Sequence, residues 1–292
     1  MSSTLSIETE VGLLTQSQRT ALIALLADED PAIYQVVRTK IVSCGRTSTE
    51  WLRPYTLSSD PVLRRRALEI ITHFARQQAD ERFLAFCLNN GEDLDIEEGA
   101  LLLAQTQYPD ANKEAYQALF DHYAGELRER VDLKAETEQL LSSINHYLFT
   151  KLAFTGNKKY GDQPENCYLN WVMDNRKGNP ISLCAVYLFV ARRLHLPVAG
   201  IGLPGHFICR FQSARKEVFI DPFNRGRFLT KADCIKYLVQ TNHGLQEGYL
   251  SPVSPARMLL RMCANLHQIY LHLEQMDEAA RVQRYIFALA KG

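Results

Sequence analysis

The segment PISLCAVYLFVA, residues 180–191, constrains the fold more than any other stretch of the chain. Asn179 is a favourable N-cap and Pro180 suits the first helical position, so a helix is predicted to start here. It is apolar on nearly every face until Arg192. A helix apolar all round is buried all round, so the rest of the chain must wrap it. Its unbroken apolar run, Leu183 to Ala191, is far shorter than the roughly 20 residues that span a bilayer. Pro197 disfavours helix in the residue before it, so the helix is predicted to close at HLP.

Beyond that point the apolar period changes from helical to alternating. VAGIG, GHFICRF and KEVFID read as three strands, the last two joined by QSAR. If Phe211 faces Lys216, then Arg210 faces the opposite charge of Glu217, Ile208 faces Phe219, and His206 faces Asp221. Such a pair has its Cβ atoms about 5 Å apart. A carboxylate beside a histidine fixes its tautomer and stabilises the imidazolium, as the third member of a catalytic triad does. Gly205 permits a close approach to His206. The plainer reading is that His206 ends a strand and Asp221 opens the turn at DPF. If the pair is catalytic, its nucleophile is expected at the start of the buried helix, where the helix dipole lowers a thiol pKa.

The flanking regions read as helical. DPAIYQVVRTKI and DPVLRRRALEII, from Asp30 and Asp60, each begin with an Asp N-cap and Pro, then place apolar residues at helical spacing. A degraded third copy starts at Asp95 in DIEEGALLLAQ. The period is short for a HEAT-like stack, so an irregular helical region is the alternative. Residues 131–153 are predicted as one helix, followed by the loop FTGNKKYGDQPEN and a short helix at CYLNWVMDN. After residue 250 two more helices follow. Leu266, Tyr270 and Ala279 lie at tetratricopeptide spacing about a turn near Glu274 to Asp277. From residues alone this is a helical hairpin that docks on the core.

Taken in order, FTGNKKY, NCYLNWV, GNPISL, LPGHF and IDPF resemble the transglutaminase-like superfamily, specifically its bacterial SirB-type branch. The resemblance implies a helical N-terminal region, a transglutaminase-like core and a tetratricopeptide-like tail. It also implies a papain-like arrangement, with His206 and Asp221 in the second and third places. Asn157, Tyr160 and Asn166 match recurrent positions of the family, so these residues and Gly205 are candidates to line the cleft. The first place does not match. Counting back from LHLP lands between Pro180 and Ser182, where there is no cysteine. Ser182 is the nearest hydroxyl, and Cys184 lies about half a turn further round the helix. PISL is what the SirB-type branch usually carries.

Two functions follow. One is a transglutaminase-like fold without its nucleophilic cysteine, acting as a protein-interaction or regulatory module. The other is a hydrolase or acyltransferase that uses His206 and Asp221 with Ser182 or Cys184. A small-molecule binder in the same cleft is a third reading. Thirty-three basic and thirty-three acidic residues among 292 cancel, which argues against a nucleic-acid partner. Seven cysteines without a CxxC pair give neither a disulfide framework nor a familiar zinc site, and no cofactor or metal is expected. No signal peptide or membrane span is read, so the expected compartment is the cytoplasm. The expected fold is α+β and predominantly helical. A helical region spans 1–130, a papain/transglutaminase-like core with a small antiparallel sheet spans 131–250, and the hairpin spans 251–292.

Overall fold

The computed structural model describes residues 14–132, 135–159, 162–242 and 247–291. The described chain divides between Gln78 and Ala79 into two compact units. The first holds α1 (Gln16–Leu26), α2 (Pro31–Ser43), the short α3 (Ser48–Leu52) and the first part of α4 (Pro61–Asn89). Asp30 Oδ1 accepts from the Ala32 amide and Asp60 Oδ1 from the Val62 amide, both at 2.8 Å, so both Asp–Pro starts cap helices as the sequence predicted. Leu26, Tyr34, Val37, Ile41, Leu52, Ile70 and Phe74 form this unit's core, while Val36 is exposed. Arg66 lies over the Tyr34 ring at 4.2 Å and donates to the Leu26 carbonyl at 2.8 Å, satisfying the open C-terminal end of α1.

The second unit is built around the all-apolar helix, α9 (Pro180–Arg193). Before it come the end of α4, α5 (Ile96–Gln107), α6 (Lys113–Arg130), α7 (Thr137–Asn145), a π-helical turn at His146–Lys151, β1 (Thr155–Gly156), α8 (Leu169–Asn175) and β2 (Lys177–Gly178). After it come β3 (Val198–Ile201), β4 (Ile208–Gln212), β5 (Glu217–Asp221), β6 (Arg227–Leu229), α10 (Lys231–Gln240), α11 (Pro255–His272) and α12 (Met276–Lys291). From Ile181 to Ala191 every residue of α9 but Leu188 is buried, as its composition required. Each large apolar side chain so buried contributes about 1.5–3 kcal/mol. Phe189 meets Phe120 of α6 edge-on at 5.4 Å.

Two details of this core differ from the sequence expectation. Helix does not run unbroken through 131–153: α6 ends at Arg130, α7 starts at Thr137, and the π turn follows Asn145. The α9 helix ends at Arg193, and its closing turn falls on His195, the first residue of HLP, rather than being set by Pro197. His195 adopts φ 56°, and the Leu196 amide donates to the Ala191 carbonyl at 3.0 Å, a Schellman closure with histidine in the left-handed position. At this end Glu97 of α5, only 1% exposed, accepts from Arg192 Nη2 at 2.7 Å and from Arg193 Nη1 and Nη2 at 2.7 and 2.9 Å. A buried carboxylate needs such partners.

The sheet is antiparallel with strand order β3-β4-β5-β6. Cys209, Phe211, Val218 and Ile220 point into the core around α9, while Ile208 and Phe219 point the other way, toward Cys234 and Leu238 of α10. The predicted register needs correction by two residues. Gln212 faces Glu217, and Arg210 faces Phe219. The turn sets this. The Ser213 hydroxyl accepts from the Lys216 amide at 3.1 Å, and the Ser213 amide donates to the Lys216 carbonyl at 2.9 Å, so the four-residue loop is 213–216 rather than 212–215. A shift of two keeps every side chain on its face. Arg210 therefore still meets Glu217, diagonally, at 3.5 Å.

The tail is a helical hairpin of α11 and α12, with Leu266, Tyr270 and Ala279 buried and Glu274 at φ 58° in the turn. It docks through polar bonds as well as apolar contact. Tyr270 shares a hydroxyl–hydroxyl hydrogen bond of 2.8 Å with Tyr168. Arg284 donates to Asp80 Oδ2 at 2.6 Å, and the Tyr285 hydroxyl donates to Asp80 Oδ1.

Candidate functional site

His206 does not lie within a strand. It closes the turn Leu203–Pro204–Gly205–His206, in which the His206 amide donates to the Leu203 carbonyl at 3.1 Å. Gly205 takes φ 70°, the conformation that follows proline in a type II turn and that costs glycine least. A Cβ there would also come within 3.3 Å of the Tyr237 hydroxyl, which donates to the Pro204 carbonyl at 3.0 Å. The turn delivers the imidazole onto the α10 face of the sheet, two residues ahead of β4. Asp221 ends β5 on the same face. His206 Nε2 lies 2.9 Å from Asp221 Oδ2.

Asp221 is held from two more directions. Asn224 donates its side-chain amide to Oδ2 at 2.8 Å and its backbone amide to Oδ1 at 3.2 Å. Burial pushes the Asp221 carboxyl up, but the hydrogen bond and charge of His206, together with the Asn224 donors, outweigh it and hold the carboxyl below its ordinary range. An ionised carboxylate can only accept, so Nε2 carries the proton. In the neutral ring Nδ1 presents a lone pair, and among the described residues nothing bonds it. The ring packs edge-on against Phe223 at 6.0 Å and at a tilt against Tyr237 at 6.1 Å. An imidazole oriented this way is a competent proton acceptor.

The two candidate nucleophiles are committed elsewhere. Ser182 is 0% exposed, and its hydroxyl donates to the Asn179 carbonyl at 3.1 Å while its amide donates to Asn179 Oδ1 at 2.9 Å. It belongs to the N-cap of α9. A Cβ on Gly178 would come within 2.5 Å of its Oγ, so the hydroxyl is also packed against backbone. The Cys184 thiol donates to the Phe207 carbonyl at 3.3 Å, and burial pushes its pKa well up, with Cys209 and Asp221 adding to the rise. A thiol so shifted is not a thiolate. Neither residue is hydrogen-bonded to His206, and neither lines the cavity onto which that ring opens.

The cavity has a volume of about 560 Å³. His206, Asp221, Phe223 and Asn224 line it together with Cys234 and Tyr237 of α10. Cys234 is buried, and burial followed by the charge of Asp233 pushes its thiol up to about 11. Asn157 and Asn166 are not among the lining residues. Asn157 donates to Asn166 Oδ1 at 2.9 Å and its amide to the Gly178 carbonyl at 3.0 Å, so the two brace the start of α9. Tyr160 lies outside the described residues. Gly156 has a part that its sequence gave no hint of: a Cβ there would meet the Phe223 ring and carbonyl at 2.6 Å, so only glycine lets β1 lie against the residue that supports His206. Asn224 was also missed, although an Asp followed by Asn three residues on is a legible side-chain turn. Among the described residues no group of three or more His, Cys, Asp or Glu could hold a metal, and no helix is long and apolar enough to cross a membrane.

A family model described as the transglutaminase-like superfamily matches residues 114–264, which carry α9, the His206 turn and Asp221. A UPF0162 protein of Xylella fastidiosa (strain 9a5c) is 35% identical over 205 residues, 68% of this chain and 73% of that one. The chain belongs to the transglutaminase-like superfamily and, within it, to the bacterial UPF0162 family. A UPF0162 protein of Pseudomonas aeruginosa is 36% identical over 111 residues, 37% of this chain and 40% of the relative. F-box only protein 21 of Mus musculus is 32% identical over 151 residues, 49% of this chain but 23% of the mouse protein. No solved structure matches the chain.

Proposed function

We propose that this chain is a transglutaminase-like module that binds its ligand and does not turn it over, serving a protein-interaction or regulatory role. The observation that carries the reading is the hydrogen bond of the Ser182 hydroxyl to the Asn179 carbonyl. The residue nearest the nucleophile's place is spent capping its own helix, while the His–Asp pair keeps its geometry beside an open cavity. The mouse F-box protein adds support, since the matched segment fills under a quarter of that chain and so occurs as one part of a larger protein. Within the superfamily we place the chain in the SirB-type branch, with a tetratricopeptide-like hairpin closing the core, a protein partner and a cytoplasmic location.

Intact-mass spectrometry after exposure to a fluorophosphonate and, separately, to iodoacetamide tests this reading. It expects no His206-dependent adduct on Ser182 or Cys184. An adduct on either residue that disappears in His206→Ala overturns it. The second reading, a hydrolase or acyltransferase, draws on one observation: Nε2 is bound to Asp221 and Nδ1 is left open. The same adduct supports that reading.

A further inference from the structure

The cavity beside His206 carries a charge pattern that the His–Asp pair does not use. Lys158, from the loop after β1, Arg227, from β6, and Lys236, from α10, all line it. Among the described residues none of the three is in an ion pair. Both acids of the lining are already engaged. Asp221 accepts from His206 and Asn224. Asp233 accepts from the Thr230 amide at 2.8 Å and hydroxyl at 2.7 Å, as the reciprocal half of the capping box of α10. The Thr230 hydroxyl and amide hold the Asp233 carboxyl below its ordinary range, and the charges of Arg227 and Lys236 add to the fall without either forming an ion pair with it. Three elements thus bring cations to one recess, and the acids that share it already accept hydrogen bonds from His206, Asn224 and Thr230.

From this we infer that the cavity binds a carboxylate ligand, seated between Arg227 and Lys236 with Lys158 at the rim. The inference rests on the binding-module reading and names its ligand class. A carboxylate matches the donor fork of Arg227, and the cavity volume of about 560 Å³ suits a small dicarboxylate or one or two acidic side chains of a peptide. Both sources share the same recognition chemistry.

The test is a titration of the full chain, followed by nuclear magnetic resonance and calorimetry, with glutarate, with an oligoglutamate peptide, and with the uncharged side-chain amide counterpart of each. Carboxylates are expected to shift the signals of His206, Arg227 and Tyr237, and the amides are not. Arg227→Gln with Lys236→Gln is expected to weaken binding about tenfold or more, as loss of charge-assisted bonds does. Both side chains are exposed and outside the core, so the fold is retained, as circular dichroism will record. Tighter binding of the peptide than of glutarate assigns the site to an acidic protein segment, and comparable binding assigns it to a free acid. Equal shifts from acids and amides, no shift from either, or an affinity unchanged in the double variant overturns the inference. The outcomes separate cleanly. Carboxylate binding without probe adducts supports both readings, adducts alone remove the non-catalytic one, and no binding without adducts removes only the ligand class.

Discussion

Asp221 and His206 meet across a 2.9 Å hydrogen bond although neither faces the other in the ladder. Carried one pair beyond Cys209–Ile220, the register sets Asp221 opposite Ile208, so His206 reaches it on the diagonal from the preceding turn. The contact depends on a turn geometry that Pro204 and Gly205 supply and on a carboxylate that Asn224 fixes from the other side.

Replacing Asp221 by Asn tests how much this arrangement holds. The variant leaves the Asn224 and His206 donors without an ionic acceptor in a site where Asp221 is 5% exposed. Loss of stability of about 1–3 kcal/mol is expected by urea denaturation. A variant as stable as the wild type would mean that the pair is an incidental contact.

The same residue sets a pH dependence. Its carboxyl is held below the ordinary range in the folded state, because the His206 and Asn224 interactions outweigh burial. The unfolded chain therefore binds the proton first as pH falls. The contribution is complete above the free aspartate value of about 3.9 and is lost below it, down through the lower folded pKa. Between these limits wild-type stability is expected to fall more steeply than that of Asp221→Asn. Parallel acid limbs contradict the assignment.

How much of this was legible in the sequence follows from the range of each interaction. The burial of α9 was legible because composition alone forces it, and the two Asp–Pro caps because each bond spans two residues. The face shared by His206 and Asp221 was legible because strand alternation has a period of 2 and survives a slip of two. The register itself was not, since it turned on one hydroxyl, that of Ser213. Nor was the π turn at His146–Lys151, which ends where Ala153 takes φ 60° and the Phe154 amide returns to the Leu148 carbonyl. The commitments of Asn157 and Asn166 to each other, and the fit of Gly156 to Phe223, join segments that only the folded core brings together.

Gly156→Ala puts a methyl within 2.6 Å of the Phe223 ring and carbonyl. Backbone cannot yield cheaply, so a loss of about 1–3 kcal/mol is expected by thermal unfolding, with displaced His206 ring signals. Unchanged stability together with an unmoved His206 spectrum contradicts the packing described.

Tyr285→Phe removes a donor to Asp80 and an acceptor for Arg281 within the hairpin contact. Asp80 keeps Arg284, so a loss of about 1–3 kcal/mol is expected rather than unfolding. Amide exchange of α11 and α12 should accelerate relative to α9. A uniform change along the chain would show that these bonds do not hold the tail in place.

All seven cysteines are free, and Cys44 alone is part-exposed. A native thiol titration should therefore give one fast reaction, with seven thiols appearing in denaturant. Fast reaction at Cys184 or Cys167 runs against the burial that raises both thiols.

The most direct measurement is side-chain nitrogen resonance of the His206 ring in the wild type and in Asp221→Asn. The expected wild-type result is a protonated Nε2 in a strong hydrogen bond and an unbonded Nδ1, with the Nε2 signal moving markedly on substitution. Ring signals identical in the two proteins would contradict it, because the imidazole would then have no bond to the carboxylate.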